Sequence, residues 1–189
     1  MNNNDILVIA ISITFVISGY YINFRRSINR NEIVKTAGDN SLLIFRVLIP
    51  LALILSIVFY FLHIGEIFLP ILVYLGSVLV VFGLLYRWYA VRSLGKYFRV
   101  KISLISKQKL ITNGIYTNIR HPSYTGLLCY YLGLGLIMQN SCSLVLLIVF
   151  PLYVVLNRVR LEEIFLVENF GDSYKTYQKK SFRLIRFIY

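Results

Sequence analysis

The chain has 189 residues, of which 58% are apolar and only 15% charged, against roughly 25% charged in an ordinary soluble domain. With a mean hydropathy of +0.70, this composition excludes a water-soluble globule, and the polar, glycine-periodic or cysteine-dense compositions of disordered, collagenous and disulfide-scaffold chains are absent. Twenty Lys and Arg against eight Asp and Glu leave a formal charge of +12; in a membrane chain the positive-inside rule accounts for that excess, and no nucleic-acid partner is expected.

The first apolar block, Ile6–Phe24, has no basic segment before it and no small-residue cleavage site after it, so it is expected to remain as a membrane anchor. Further blocks follow at Leu42–Leu62, Ile67–Val91, Ser123–Met138 and Leu144–Leu156. They predict an all-α, multi-pass integral membrane protein of about five transmembrane helices. The last two blocks are short for a hydrocarbon core of ~30 Å, which takes about 20 helical residues. Only Gln139–Ser143 separates them, so they are expected to form a tight helical hairpin that leads into a cytoplasmic C-terminal region. On this reading residues 1–91 are a three-span region and residues 92–189 a functional core.

Charge placement sets the orientation. Arg25, Arg26, Arg30 and Lys35 follow the first block, seven Lys or Arg lie from Arg92 to Arg120, and seven more from Arg158 to Arg186. The alternate connections Met1–Asp5, His63–Glu66 and Gln139–Ser143 have none. The N-terminus is therefore expected outside, with the 25–41 and 92–122 loops and the C-terminal tail in the cytoplasm. Arg46 and Arg87 lie near cytoplasmic span ends and are expected to snorkel. Pro50, Pro70 and Pro151 should kink or bound helices. Cys129 and Cys142 have no metal-ligand spacing and are expected to be free thiols; no metal site is expected.

Polar residues beside apolar blocks concentrate in the last half of the chain. Gly114–Gly126 (GIYTNIRHPSYTG) runs directly into the fourth block. Pro122 suits the first position of a helix, which places Arg120 and His121 at the positive end of that helix, where anions are attracted. A loop touching lipid phosphates would look the same. Farther on, Arg158 and Glu162 are four apart and share a helix face, with Glu163 about 100° round. Their spacing fits a simple ion pair, or a guanidinium and a carboxylate addressing two different ligands. Gly171 should cap this helix. The tail from Asp172 mixes basic and aromatic residues as a headgroup-level segment does, with Tyr174 and Tyr177 expected to pack and make one hydrogen bond each.

Arg120-His-Pro-Ser-Tyr-Thr-Gly126, then Glu162-Glu163, then Phe170-Gly171 with Tyr174 and Tyr177, all preceded by Leu94-Gly95-Lys-Tyr-Phe98, resembles the isoprenylcysteine carboxyl methyltransferase family and its phospholipid-methyltransferase relatives. The resemblance covers about residues 92–186; residues 1–66 contribute spans only. It implies an integral membrane methyltransferase that uses S-adenosylmethionine and has no Rossmann fold, in keeping with the lack of a G-x-G-x-x-G segment. By matched position the cofactor contacts would be Lys101, Gln108, Lys109, Leu110, Ile111, Tyr116, His121, Pro122, Ser123, Tyr124 and Glu162. Arg158 would face the acceptor, and Arg158 and Glu162 would form the catalytic pair. Gln108 stands where the family commonly has His, and the residue at Lys101 varies. The acceptor would be a lipid or an isoprenylated carboxylate entering from the bilayer. Two other readings fit parts of the chain: a multi-pass sterol-type reductase using NADPH, and a non-catalytic scaffold whose basic loops grip anionic lipid.

Overall fold

The computed structural model describes Ala10, residues 33–37 and residues 40–185; apart from Ala10, the expected span Ile6–Phe24 lies outside the described residues. Five α-helices organise the described part: α1 (Ser41–Phe61), α2 (Pro70–Leu94), α3 (Pro122–Ile137), α4 (Ser141–Phe170) and α5 (Asp172–Lys180). Three of these, α1, α2 and α4, are long and apolar enough to cross a membrane. Their lipid-directed character shows in exposed side chains such as Leu43, Ile54, Ile71, Val78 and Leu85, a surface that would be a liability in water.

The fourth apolar block becomes the short helix α3, which is sheathed by protein. It begins with Pro122 at its first position and packs most closely against α2, where backbone meets backbone. A Cβ at Gly83 would lie 2.6 Å from the Gly126 carbonyl oxygen, and one at Gly76 2.5 Å from that of Gly133, so only glycine permits this approach. Its buried face supplies Leu127, Tyr130, Tyr131, Leu134 and Ile137 to the core, which Val154, Val155 and Val159 of α4 complete.

The hairpin expected from the last two blocks is present. Asn140 caps α4 by accepting from the Ser143 N–H at 2.9 Å, and its amide donates to the Ile64 carbonyl at 2.7 Å. One side chain thus ties the α1–α2 connection to the α3–α4 turn, and these are two of the connections without Lys or Arg. Across α1 and α4, the Ser143 hydroxyl donates to the Ser56 carbonyl at 2.7 Å. Helix α4 runs unbroken through Pro151 and 30 residues in all, so the polar Arg158–Glu163 segment is a direct extension of a span. Gly171, at φ +54°, ends it as expected, its N–H donating to the Val167 carbonyl at 2.9 Å.

The fold departs from all-α in one place. Strand β1 (Ile33–Thr36) pairs antiparallel with β2 (Ser103–Ile105), with an irregularity between Ile33 and Lys35. The ribbon joins the 25–41 and 92–122 connections at the end of the molecule opposite Asn140. The tail is also more than an interfacial segment: Phe182 donates to the Asn118 carbonyl at 2.8 Å, while Arg120 and His121 donate to the Phe182 and Arg183 carbonyls at 2.8 and 3.0 Å. Residues 182–184 thereby strap the entry to α3.

Candidate functional site

Where α4 leaves the apolar zone, the α3 entry, the 97–111 segment and α5 enclose one cavity of about 1490 Å³, its open mouth counted. Of the residues singled out in the sequence, Lys101, Gln108, Lys109, Leu110, Ile111, Tyr116, His121, Ser123, Tyr124, Arg158 and Glu162 all line it. Pro122 does not; it is buried as the first residue of α3. Gln108 also has local duty, its side-chain oxygen accepting from the Ile105 N–H at 3.0 Å in the turn after β2.

Two adjacent carboxylates on α4 meet different surroundings. Glu163 is 5% exposed and saturated: Arg120 Nε donates to one oxygen at 2.7 Å, Arg183 Nε to the other at 2.8 Å, and His121 Nε2 lies 3.5 Å away. Arg120 is held in turn by the Gln178 carbonyl at 3.2 Å and by the Ser181 carbonyl and hydroxyl. Glu162, by contrast, is 30% exposed and borders the cavity. It accepts from the Tyr124 hydroxyl at 3.0 Å, and that hydroxyl accepts from Arg158 Nε at 2.7 Å. The link between Arg158 and Glu162 therefore passes through Tyr124 from another helix, unlike the direct pair that i,i+4 spacing allows. Arg158 further donates to the Ser41 hydroxyl at 3.3 Å and to the Val100 carbonyl, which closes the 97–111 segment over the cavity.

Helix α5 supplies two phenols. Tyr177 donates to the Tyr116 carbonyl, as expected of it, whereas the buried Tyr174 hydroxyl has no hydrogen-bond partner among the described residues. Burial raises the Tyr116 phenol, and nearby Glu162 raises it further. Burial likewise raises Tyr174, with a smaller push from Glu163, and lifts Tyr177 to about 12. All three are neutral hydroxyls near pH 7 and act as donors, not bases.

Sequence reasoning missed the Arg120–Glu163–Arg183 cluster and misplaced Arg87. Instead of snorkelling outward, Arg87 turns inward and donates from Nη1 to the Ser123 carbonyl and hydroxyl at 3.1 and 3.0 Å. The signal was available: Arg87 is the one charge between Ile67 and Val91.

The sequence model of the phospholipid methyltransferases matches residues 71–173, more than half of the chain, with all of α2 but its first residue and all of α3 and α4. The chain belongs to the phospholipid methyltransferase family. Within curated proteins this family member is similar to a probable protein-S-isoprenylcysteine O-methyltransferase of Oryza sativa subsp. indica, 33% identical over 117 residues, 61% of each chain. It is also similar to the protein-S-isoprenylcysteine O-methyltransferases of Saccharomyces cerevisiae, 35% identical over 108 residues (56% of this chain, 45% of that one), and of Schizosaccharomyces pombe, 41% identical over 71 residues (38% and 30%). The matches span 61% or less of these relatives' own length. Among solved structures, the eukaryotic intramembrane Ras methyltransferase ICMT (isoprenylcysteine carboxyl methyltransferase) superposes with a TM-score of 0.64 at 27% identity, over 74% of this chain and 52% of that chain.

Proposed function

We propose that this phospholipid methyltransferase family member is an S-adenosylmethionine-dependent membrane methyltransferase that esterifies a carboxylate on a lipid-like or isoprenylated acceptor, of the protein C-terminal isoprenylcysteine type. The observation that carries the reading is the cavity at the α4 exit, where a half-open carboxylate, Glu162, faces the donor-rich start of α3. The donor set fits the cofactor. Glu162 suits its ammonium, the Ser123–Tyr124 helix start suits its carboxylate, the unpartnered Tyr174 hydroxyl has a bond to give, and Phe98, Leu110 and Ile111 offer an apolar wall. When bound, the cofactor supplies an electrophilic methyl on sulfur; the S–C bond breaks as a C–O bond to the acceptor forms, and a neutral thioether leaves.

A carboxylate acceptor is already a nucleophile, so the chain need not provide a base, in keeping with the neutral phenols. What its residues do is position and desolvate. Arg158 orients an acceptor carboxylate while fastening the 97–111 segment through Val100. Glu162 is aimed by the Tyr124 hydroxyl that donates to it. His121 and the strap at 182–184 hold the entry to α3 in place. The proposed topology has five spans, the N-terminus outside and the cavity on the cytoplasmic side. It is supported by the gathering of two of the three Lys/Arg-free connections, His63–Glu66 and Gln139–Ser143, around Asn140, at the end away from the cavity.

Calorimetric titration of the detergent-solubilised protein tests the reading: S-adenosylhomocysteine should bind at micromolar concentration and NADPH should not. NADPH binding with no response to S-adenosylhomocysteine would instead support a sterol-type reductase, and binding of neither a lipid-gripping scaffold.

A further inference from the structure

A guanidinium within a span is costly and persists where something repays it. Arg87 occupies such a position on α2 because of a local feature of the α2–α3 contact. One helical turn earlier Gly83 packs on Gly126, and a Cβ at Gly126 would sit only 3.0 Å from the Arg87 Cβ. With no side chain at 126, the Arg87 side chain lies along α3 and reaches Ser123 from beneath. There Nη1 makes its two bonds, while Nε and Nη2 make none among the described residues, although the side chain lines the cavity. Arg158 is in the opposite condition, with each of its three guanidinium nitrogens bonded to protein.

Helix capping does not account for Arg87. The start of α3 is the positive end of its dipole, an unfavourable neighbour for a cation unless an anion joins them. The charge of the whole cavity makes the same demand. Glu162 is the one carboxylate lining it among the described residues, against Arg87, Arg99, Lys101, Lys109, Arg120 and Arg158, of which Arg120 meets Glu163 just outside the cavity. A cofactor carrying a sulfonium, an ammonium and a carboxylate would add one more net positive charge. The balancing ligand must be an anion, and the donors still open to it on Arg87 form a fork suited to a carboxylate.

Resting on the methyltransferase reading above, we infer that Arg87 receives the acceptor's carboxylate and selects an anionic acceptor over a neutral one. Arg87 and Arg158 are tied to the neighbouring residues Ser123 and Tyr124, so the two guanidiniums flank the α3 entry from α2 and α4. The acceptor oxygen is held between them and presented to the cofactor's methyl.

The test uses the full chain in detergent, with N-acetyl-S-farnesyl-cysteine and its carboxamide as competing ligands of equal size. The unmutated protein should prefer the acid by about tenfold or more, the worth of a charge-assisted bond. Arg87→Gln should bring the two ligands to within about threefold, and Arg87→Lys, which keeps the charge but loses the fork, should fall between. Because each preference is a ratio measured on one sample, a smaller folded fraction does not alter it. An undiminished preference in Arg87→Gln overturns the inference, as does one in Arg87→Lys should the glutamine variant not fold. S-adenosylhomocysteine and 5′-methylthioadenosine, which lacks the amino-acid end, give the second arm. Both should bind Arg87→Gln as they bind the unmutated protein; a selective loss of S-adenosylhomocysteine would mean that Arg87 holds the cofactor's carboxylate instead. Failure of the methyltransferase reading is distinguishable, since it would show in the unmutated protein as no S-adenosylhomocysteine binding and no methyl transfer.

Discussion

The two sides of the α4 exit, one built on Glu163 and the other on Glu162, use similar residue types to opposite ends. Around Glu163 both carboxylate oxygens and the facing arginines are committed to one another and to the 178–183 backbone. Around Glu162, among the described residues, a single phenol donates to the carboxylate with His121 Nδ1 4.0 Å away, and the rest faces a cavity lined by cations. A closed network fixes geometry, and a buried ion cluster is expensive to break. An open one leaves bonding capacity for something not yet there. Neighbours in sequence can thus divide scaffold and site between them because successive residues of a helix point about 100° apart.

The contrast is broken most directly at its closed side. Glu163→Gln should destabilise the protein by about 3–5 kcal/mol, because Arg120 would be left buried without its counter-charge. Thermal unfolding in detergent measures it, and a variant as stable as the parent would show that the cluster is not what holds the strap. At the open side, Glu162→Gln should leave unfolding nearly unchanged and weaken S-adenosylhomocysteine binding by about 1.5–3 kcal/mol, the worth of a charge-assisted bond. Titration calorimetry reads this, and an unaltered affinity would reduce Glu162 to a partner of Tyr124. The smallest effect belongs to a third carboxylate on α4: Glu168 meets Lys35 at 3.8 Å with both side chains more than half exposed. Glu168→Gln should cost less than about 1 kcal/mol in the same unfolding assay; a larger loss would mean that β1 is anchored by charge and not by its pairing with β2.

Much of this arrangement could be read from the sequence because it is local. Pro122 at a helix start, Gly171 at a helix end and the Gln139–Ser143 turn are set by short-range chemistry, and the apolar blocks by composition. The remainder depends on contacts between distant segments. No pattern within residues 33–36 announces a partner at 103–105, and β1 carries only four exposed residues. Which of Glu162 and Glu163 faces the cavity depends on Arg120 and Arg183 arriving from the segment before α3 and from the tail. The i,i+4 spacing of Arg158 and Glu162 was legible, but Tyr124, which stands between them, lies 34 residues before Arg158. Arg87 was read from its position near a span end, while its direction was decided by a glycine on the facing helix.

The brevity of α3 also bears on how the protein is made. At 16 residues it is only about 24 Å long at 1.5 Å per residue, and none of its side chains is exposed. Such a segment falls short of the about 20 helical residues that a hydrocarbon core takes, and Gly126 and Gly133 present bare backbone until Gly83 and Gly76 cover them. Its stable entry into the bilayer thus awaits two events: docking on α2, already synthesised, and the emergence of α4 behind it. Integration of this part of the chain is then a three-helix assembly step, and the cavity comes into being with it rather than being carved into spans already in place.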